Sequence, residues 1–247
     1  MLATLCISKT GNLHMKFSKY LISLFYISVL SVCFAEDYPA ASKNTDNYSE
    51  IIGIDISKYQ GTVDFKKVKA DRIRYVFVRA TEGITYQDAD FESNIANARA
   101  VGLATGAYHF YETNDDPLSQ FENFKSVVSL RSGDLPPVID IEKLHNKDQS
   151  NLIDNIHIFL KALETHYRVK PIIYSGQNFA NEYLTQLGDY PLWLAQYEVG
   201  EPNIPEGWGN WTFWQWSQST TVNGIDGQVD GDRFNGDELI FRGLLIK

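Results

Sequence analysis

The sequence predicts an α/β fold: an irregular TIM-like (β/α) barrel of about eight strands, with five β/α units followed by three strands with little helix. Three observations carry this. From residue 51 onward, β-branched and aromatic runs alternate with stretches of helical period, which implies a parallel sheet. Eight such runs between residues 51 and 234 suit a closed barrel better than an open sheet. Polar and acidic residues gather at the carboxyl ends of these runs, which in a parallel barrel converge on one mouth.

The elements follow in order. "IIGIDIS" (51–57) is a strand with a short helix near 64–71 after it, and "YVFVRAT" (75–81) is the second strand. "DADFESNIANARAVG" (88–102) spaces its apolar residues as a helix does and stops at Gly102. "ATGAYHFY" (104–111) reads as strand, and "DPLSQFENFKSVVSL" (116–130) as a helix with Pro117 in its first turn. The strand "PPVIDIE" (136–142) precedes a long amphipathic helix at about 149–167. "KPIIYSG" (170–176), a helix over 177–187, "PLWLAQY" (191–197), "TFWQWS" (212–217) and "GQVDGDRF" (227–234) complete the series.

Residues 1–35 differ from the rest. Lys16 and Lys19 precede the uncharged run "YLISLFYISVLSVCFA", a pattern that describes a secretory signal peptide cleaved after Ala35, with Met15 a candidate start. The apolar run is short for a spanning helix, so no stable membrane insertion is expected after cleavage and the protein is expected to be secreted or periplasmic. Residues 36–50 read as a flexible linker and 51–247 as the functional domain. Both cysteines, Cys6 and Cys33, lie in the leader, so the exported domain must rely on its core rather than on disulfides. Removing the leader's three lysines leaves a formal charge of −12, three units more negative than the −9 of the whole chain. That acidity argues against a nucleic-acid partner and against anionic membranes.

Chemistry concentrates at the predicted mouth. Side chains alternate along a strand, so Asp140 and Glu142 share one face while Ile139 and Ile141 pack under helices on the other. Asp55 and Asp230, from the first and last strands, face the same space when the barrel closes. Four carboxylates in one cleft repel one another and lose solvation, which raises the pKa of at least one toward neutrality. A general acid needs this, beside an ionised neighbour. Tyr108, Tyr111, Tyr174, Trp193, Gln196, Tyr197, Gln215 and Trp216 are the candidate substrate-binding groups, since flat aromatics at a polar mouth stack on sugar rings. His109 reads as a hydrogen-bonded wall residue, Trp208 and Trp211 as loop packing, and Glu82 and Asp232 as surface charges or ion-pair partners. The five histidines show no ligand spacing, and there is no phosphate loop, G-x-S-x-G elbow or thiol nucleophile; neither metal nor cofactor is expected.

These pieces resemble family 25 of the glycoside hydrolases, the Chalaropsis-type lysozymes. "GIDISKYQG" (53–61), "FVRATEG" (77–83), "GAYHFY" (106–111), "PPVIDIE" (136–142), "PIIYSG" (171–176), "LWLAQY" (192–197), "FWQWS" (213–217) and "VDGDRFNG" (229–236) occur in that family's order. The resemblance implies an N-acetylmuramidase acting as a monomer on the glycan strands of peptidoglycan, cutting the β-1,4 bond from N-acetylmuramic acid to N-acetylglucosamine. It assigns the proton donor to Glu142 and further acidic roles to Asp140, Asp55 and Asp230. Asp232 departs from the pattern, since relatives often carry an uncharged residue there. Attack by the substrate's own 2-acetamido oxygen, steadied by Asp140, is the favoured route over a direct nucleophile or an inverting base. Two rivals are a non-catalytic glycan-binding protein on the same barrel, which could dispense with the acids, and a chitinase-like hydrolase. The second would carry further upstream acids where this chain has Pro136, Pro137 and Val138.

Overall fold

The computed structural model describes residues 50–145 and 150–247. The expected leader and all of the expected linker except Glu50 lie outside these residues. In chain order the elements are β1 (Ile52–Ile56), α1 (Phe65–Ala70), β2 (Tyr75–Glu82), β3 (Tyr86–Gln87), α2 (Phe91–Ala100), β4 (Ala104–Phe110), α3 (Pro117–Val127), β5 (Val138–Asp140), α4 (Leu152–Tyr167), β6 (Ile172–Gly176), α5 (Gln177–Tyr183), β7 (Leu192–Ala195), β8 (Phe213–Thr220), β9 (Val229–Phe234) and α6 (Glu238–Leu244).

Eight strands close a barrel in the order β1, β9, β8, β7, β6, β5, β4, β2, and β1 pairs with β2 to seal it. Helices separate the first strands as the sequence predicts, and β7, β8 and β9 follow with little helix between them. Two elements carry no clear sequence signal. β3 is a two-residue extension folded back on β2, and α6 follows the last strand.

One expectation needs correction. The barrel is not wholly parallel, because β9 runs antiparallel to both β1 and β8. Residues later in β9 therefore descend into the barrel instead of rising to its mouth. Asp230, near the start of β9, is paired in register with Asp55, and Asp232 is paired with Gly53 one layer beneath.

Alternation along the strands sorts the core into two layers. Ile54, Ile56, Val76, Val78, Ile139, Ile141, Ile173 and Leu194 point outward under the helices. Tyr75, Phe77, Val138, Ile172, Tyr174, Trp193 and Phe213 point inward and fill the barrel. Burying so many aromatics inside requires gaps on facing strands. A Cβ on Gly53 would stand 2.2 Å from the Tyr75 ring, and one on Gly106 would stand 2.3 Å from Phe77. Phe241 of α6 joins the inner layer against Tyr75 and Phe234. α3 begins where predicted, with Pro117 in the first turn and Asp116 capping the Ser119 amide.

Candidate active site

At the mouth, the strand ends frame a cleft of about 240 Å³, lined by Asp55, Arg79, Tyr108, Asp140, Glu142, Asp230 and their neighbours. The acids are graded by depth. Glu142 is exposed, Asp230 is half-buried, Asp55 and Asp140 are buried at 7% and 5% exposure, and Asp232 is fully enclosed.

Glu142 lies just past the end of β5, which stops at Asp140. The chain stays extended there, because the Ile141 amide donates to the Tyr174 carbonyl and the Tyr111 amide to the Asp140 carbonyl. Ile139 and Ile141, both fully buried in the outer layer, anchor the segment and turn Asp140 and Glu142 to the cleft. Burial pushes the Asp140 carboxyl well above the ordinary range, and the charge and hydrogen bonding of Glu142 push it further. Arg79 pulls it weakly the other way. Asp55 is raised by burial, then by the charges of Asp232 and Asp230, against the lowering effect of its bond from Gln215. Asp230 is raised by burial while a hydrogen bond with Asp55 favours its ionised form. Burial thus disfavours the ionised form of the deeper acids.

The floor is a hydrogen-bonded unit. Gln215 Nε2 donates to Asp55 Oδ2 at 2.7 Å, while Gln215 Oε1 accepts from the Tyr174 hydroxyl at 2.8 Å and from the Tyr197 hydroxyl. Trp193 lies between these groups and the inner core, stacked on Phe77 at 4.3 Å and edge-on to Tyr174 at 4.6 Å. The sequence-predicted residues Tyr108, Tyr174, Trp193 and Gln215 thus line the cleft with all four acids, and Tyr197 joins them through Gln215.

Three predicted binding residues are elsewhere. Tyr111 follows Phe110, which faces the cleft, so alternation turns it outward against Phe159 with only 1% exposure. Trp216 follows Gln215 and likewise turns outward, where the Arg233 guanidinium lies 4.7 Å from its ring centre. Gln196 uses its side-chain oxygen to accept from the Asn203 amide at 2.7 Å, bracing a loop. Asp232 is a further correction: the surface charge expected there is wholly buried, because the reversed β9 carries it inward, and its Oδ1 accepts from Trp193 Nε1 at 2.8 Å.

Other readings hold. His109 is buried on the outer layer, with Nδ1 2.7 Å from the Thr81 hydroxyl and Nε2 3.1 Å from Gln120 Oε1. Burial lowers its pKa to about 4, which keeps the ring neutral. Glu82 pairs with Arg79 at 3.4 Å. Trp208 packs into the core and donates to the Tyr190 carbonyl.

Sequence reasoning also left out one wall of the cleft. Ser57 and Gln60 cap the turn after β1 reciprocally, with the Ser57 amide donating to Gln60 Oε1 at 2.8 Å, and this presents Tyr59 at the lip with 75% exposure. Arg79 lies beneath, 4.7 Å from the centre of the Tyr86 ring and 3.7 Å from the buried Asp88 carboxylate. The signal for this wall was positional, since "SKYQ" directly follows the strand bearing Asp55. Among the described residues, no cluster of His, Cys, Asp and Glu has the arrangement of a metal site.

The sequence profile of Glycosyl hydrolases family 25 matches residues 54–225, which contain Asp55 and the Asp140–Glu142 pair. The chain belongs to this family. It is 33% identical to Lysozyme M1 of Streptomyces globisporus over 208 residues, 76% of this chain and 69% of that one. It is 35% identical to the autolytic lysozyme of Clostridium acetobutylicum over 189 residues, 76% of this chain, and the match spans 57% of that protein's length. The crystal structure of the bacterial lysozyme from Streptomyces coelicolor superposes with a TM-score of 0.75 at 30% identity, covering 80% of this chain and 97% of that one. The family 25 barrel is therefore present, and in this chain acids line its mouth.

Proposed function

We propose that this family 25 member is a lysozyme that hydrolyses the β-1,4 bond between N-acetylmuramic acid and N-acetylglucosamine in peptidoglycan. The observation that carries the reading is the Asp140–Glu142 pair at the mouth, one acid buried with its carboxyl pushed well above the ordinary range, the other exposed where a glycan can reach it. In this reading Asp140 passes its proton to Glu142 when the substrate's acetamide enters. Glu142 then protonates the leaving glycosidic oxygen as general acid. The Asp140 carboxylate accepts the acetamide N–H and steadies its carbonyl oxygen as that oxygen attacks the anomeric carbon. Water opens the resulting ring with Glu142 as base, so two displacements at one carbon retain its configuration. Asp55 and Asp230 orient the entering sugar and water, and Tyr108, Tyr174, Trp193 and Gln215 form the binding surface. Residues 1–35 supply export to the compartment that holds the wall.

Glu142→Gln is expected to lower the rate of wall lysis by at least about a hundredfold, the lower bound for a general acid. Its melting temperature should stay that of the parent, because the side chain is exposed. Near-normal lysis by this variant would overturn the assignment. Mass spectrometry of digested peptidoglycan should find new reducing ends on N-acetylmuramic acid and none released from chitin. Net inversion at the anomeric carbon would rule out participation by the acetamide.

A further inference from the structure

Of the acids aimed into the barrel, Asp232 alone has no part in the proposed reaction. Its register partners are Gly53 on β1 and Gln215 on β8. Its Oδ1 accepts the Trp193 indole N–H at 2.8 Å, while its Oδ2 is buried with no hydrogen-bond partner among the described residues. An apolar residue of similar size would fill this place without the cost of desolvating a carboxyl group. Packing therefore gives no reason for an acid here, and the indole does.

Trp193 is held face-on by Phe77, with ring planes 23° apart, and edge-on by Tyr174. Stacking fixes the plane of a ring but says little about its rotation within that plane. A directed N–H bond to a buried acceptor supplies the missing constraint. We propose that Asp232 is a positioning residue, fixing the rotation of the Trp193 indole and so the aromatic floor on which the sugar lies. The proposal rests on the reading of this cleft as a glycan site.

The groups that face Asp232 from the neighbouring strands are the Asp55 and Asp230 carboxyls and the Tyr75 hydroxyl, with Trp193 and Gln215 as uncharged partners. Asp232 is second only to burial in raising Asp55. An Asn at this position would keep an oxygen acceptor for the indole but remove the ionisable carboxyl facing Asp55.

The test compares D232L with D232N. One readout is independent of activity: the ¹⁵N–¹H resonance of the Trp193 indole, assigned with a Trp193→Phe control. D232L should move that resonance upfield and raise KM for soluble peptidoglycan by about five- to tenfold, the effect of one lost directed hydrogen bond, with a smaller change in kcat. D232N should restore the indole resonance and lower KM relative to D232L. An unmoved indole resonance or KM in D232L would overturn the proposal, as would a D232N protein that behaves like D232L. If D232L fails to fold, D232V takes its place, and an unmoved indole resonance in that variant overturns the proposal. A wild-type protein that cleaves no glycan would sink the hydrolase reading instead, and the indole resonance would still report on Asp232.

Discussion

Gln215 shows how much of the cleft depends on one neutral side chain. Its amide donates to Asp55 and accepts from two tyrosine hydroxyls, so its orientation sets the positions of an acid and part of the wall together. Gln215→Met would fill the same volume but leave the Tyr174 hydroxyl buried without its acceptor. That should cost about 1–3 kcal/mol of folding stability. Urea denaturation followed by far-UV circular dichroism would measure it, and a loss too small to resolve would mean the tyrosine finds another partner. At this scale the sequence was legible where alternation was applied strictly, as for Asp140 and Glu142. It misled where adjacency to a strand end was taken as sufficient. Tyr111 and Trp216 are each one residue beyond an inward-facing side chain, and that single step turns them outward.

Elements decide which layer a residue enters, and here the interior is crowded with rings. The inward positions of β2 carry Tyr75 and Phe77, and the adjoining strands answer with Gly53 and Gly106. Gly106→Ala should destabilise the fold by about 1–3 kcal/mol, because its Cβ would meet a ring wedged among other rings. A drop in thermal midpoint would check this, and a midpoint equal to that of the parent would show that Phe77 has room to move. The strands themselves were readable from their apolar runs, with boundaries off by a few residues. The direction of β9 was not, since a strand's alternation is the same read either way. That ambiguity misplaced Asp232 in the sequence reading. α6 was missed because it is short and two of its apolar residues, Leu239 and Ile240, are exposed, so it lacks a clean amphipathic pattern.

For the whole molecule, the buried acids impose a cost that depends on pH. Asp55, Asp140, Asp230 and Asp232 all have raised pKa values in the folded protein, chiefly through burial. The folded state therefore keeps protons that the unfolded chain releases above the ordinary carboxylate value of 3.8. Stability should be greatest at acid pH and should fall as pH rises from that value through the raised ones. Asp71, Asp116 and Glu238, lowered by hydrogen bonds, act in the opposite sense, but they are at or near the surface and solvent screens them. Thermal midpoints measured upward from about pH 5 should decline, and Asp140→Asn should flatten the decline. A midpoint that rises with pH would contradict the assignment of protons to these carboxyls. The reversal of β9 has one more consequence, for handling the protein. The last strand returns the chain to the end of the barrel opposite the cleft, where Ile246 pairs with the Gly133–Asp134 turn and Glu50 meets Arg233. Residue 50 and the carboxyl terminus therefore both emerge on that far side. A tag, tether or solid support joined there would leave the mouth pointing outward, open to a polymer as large as a cell wall.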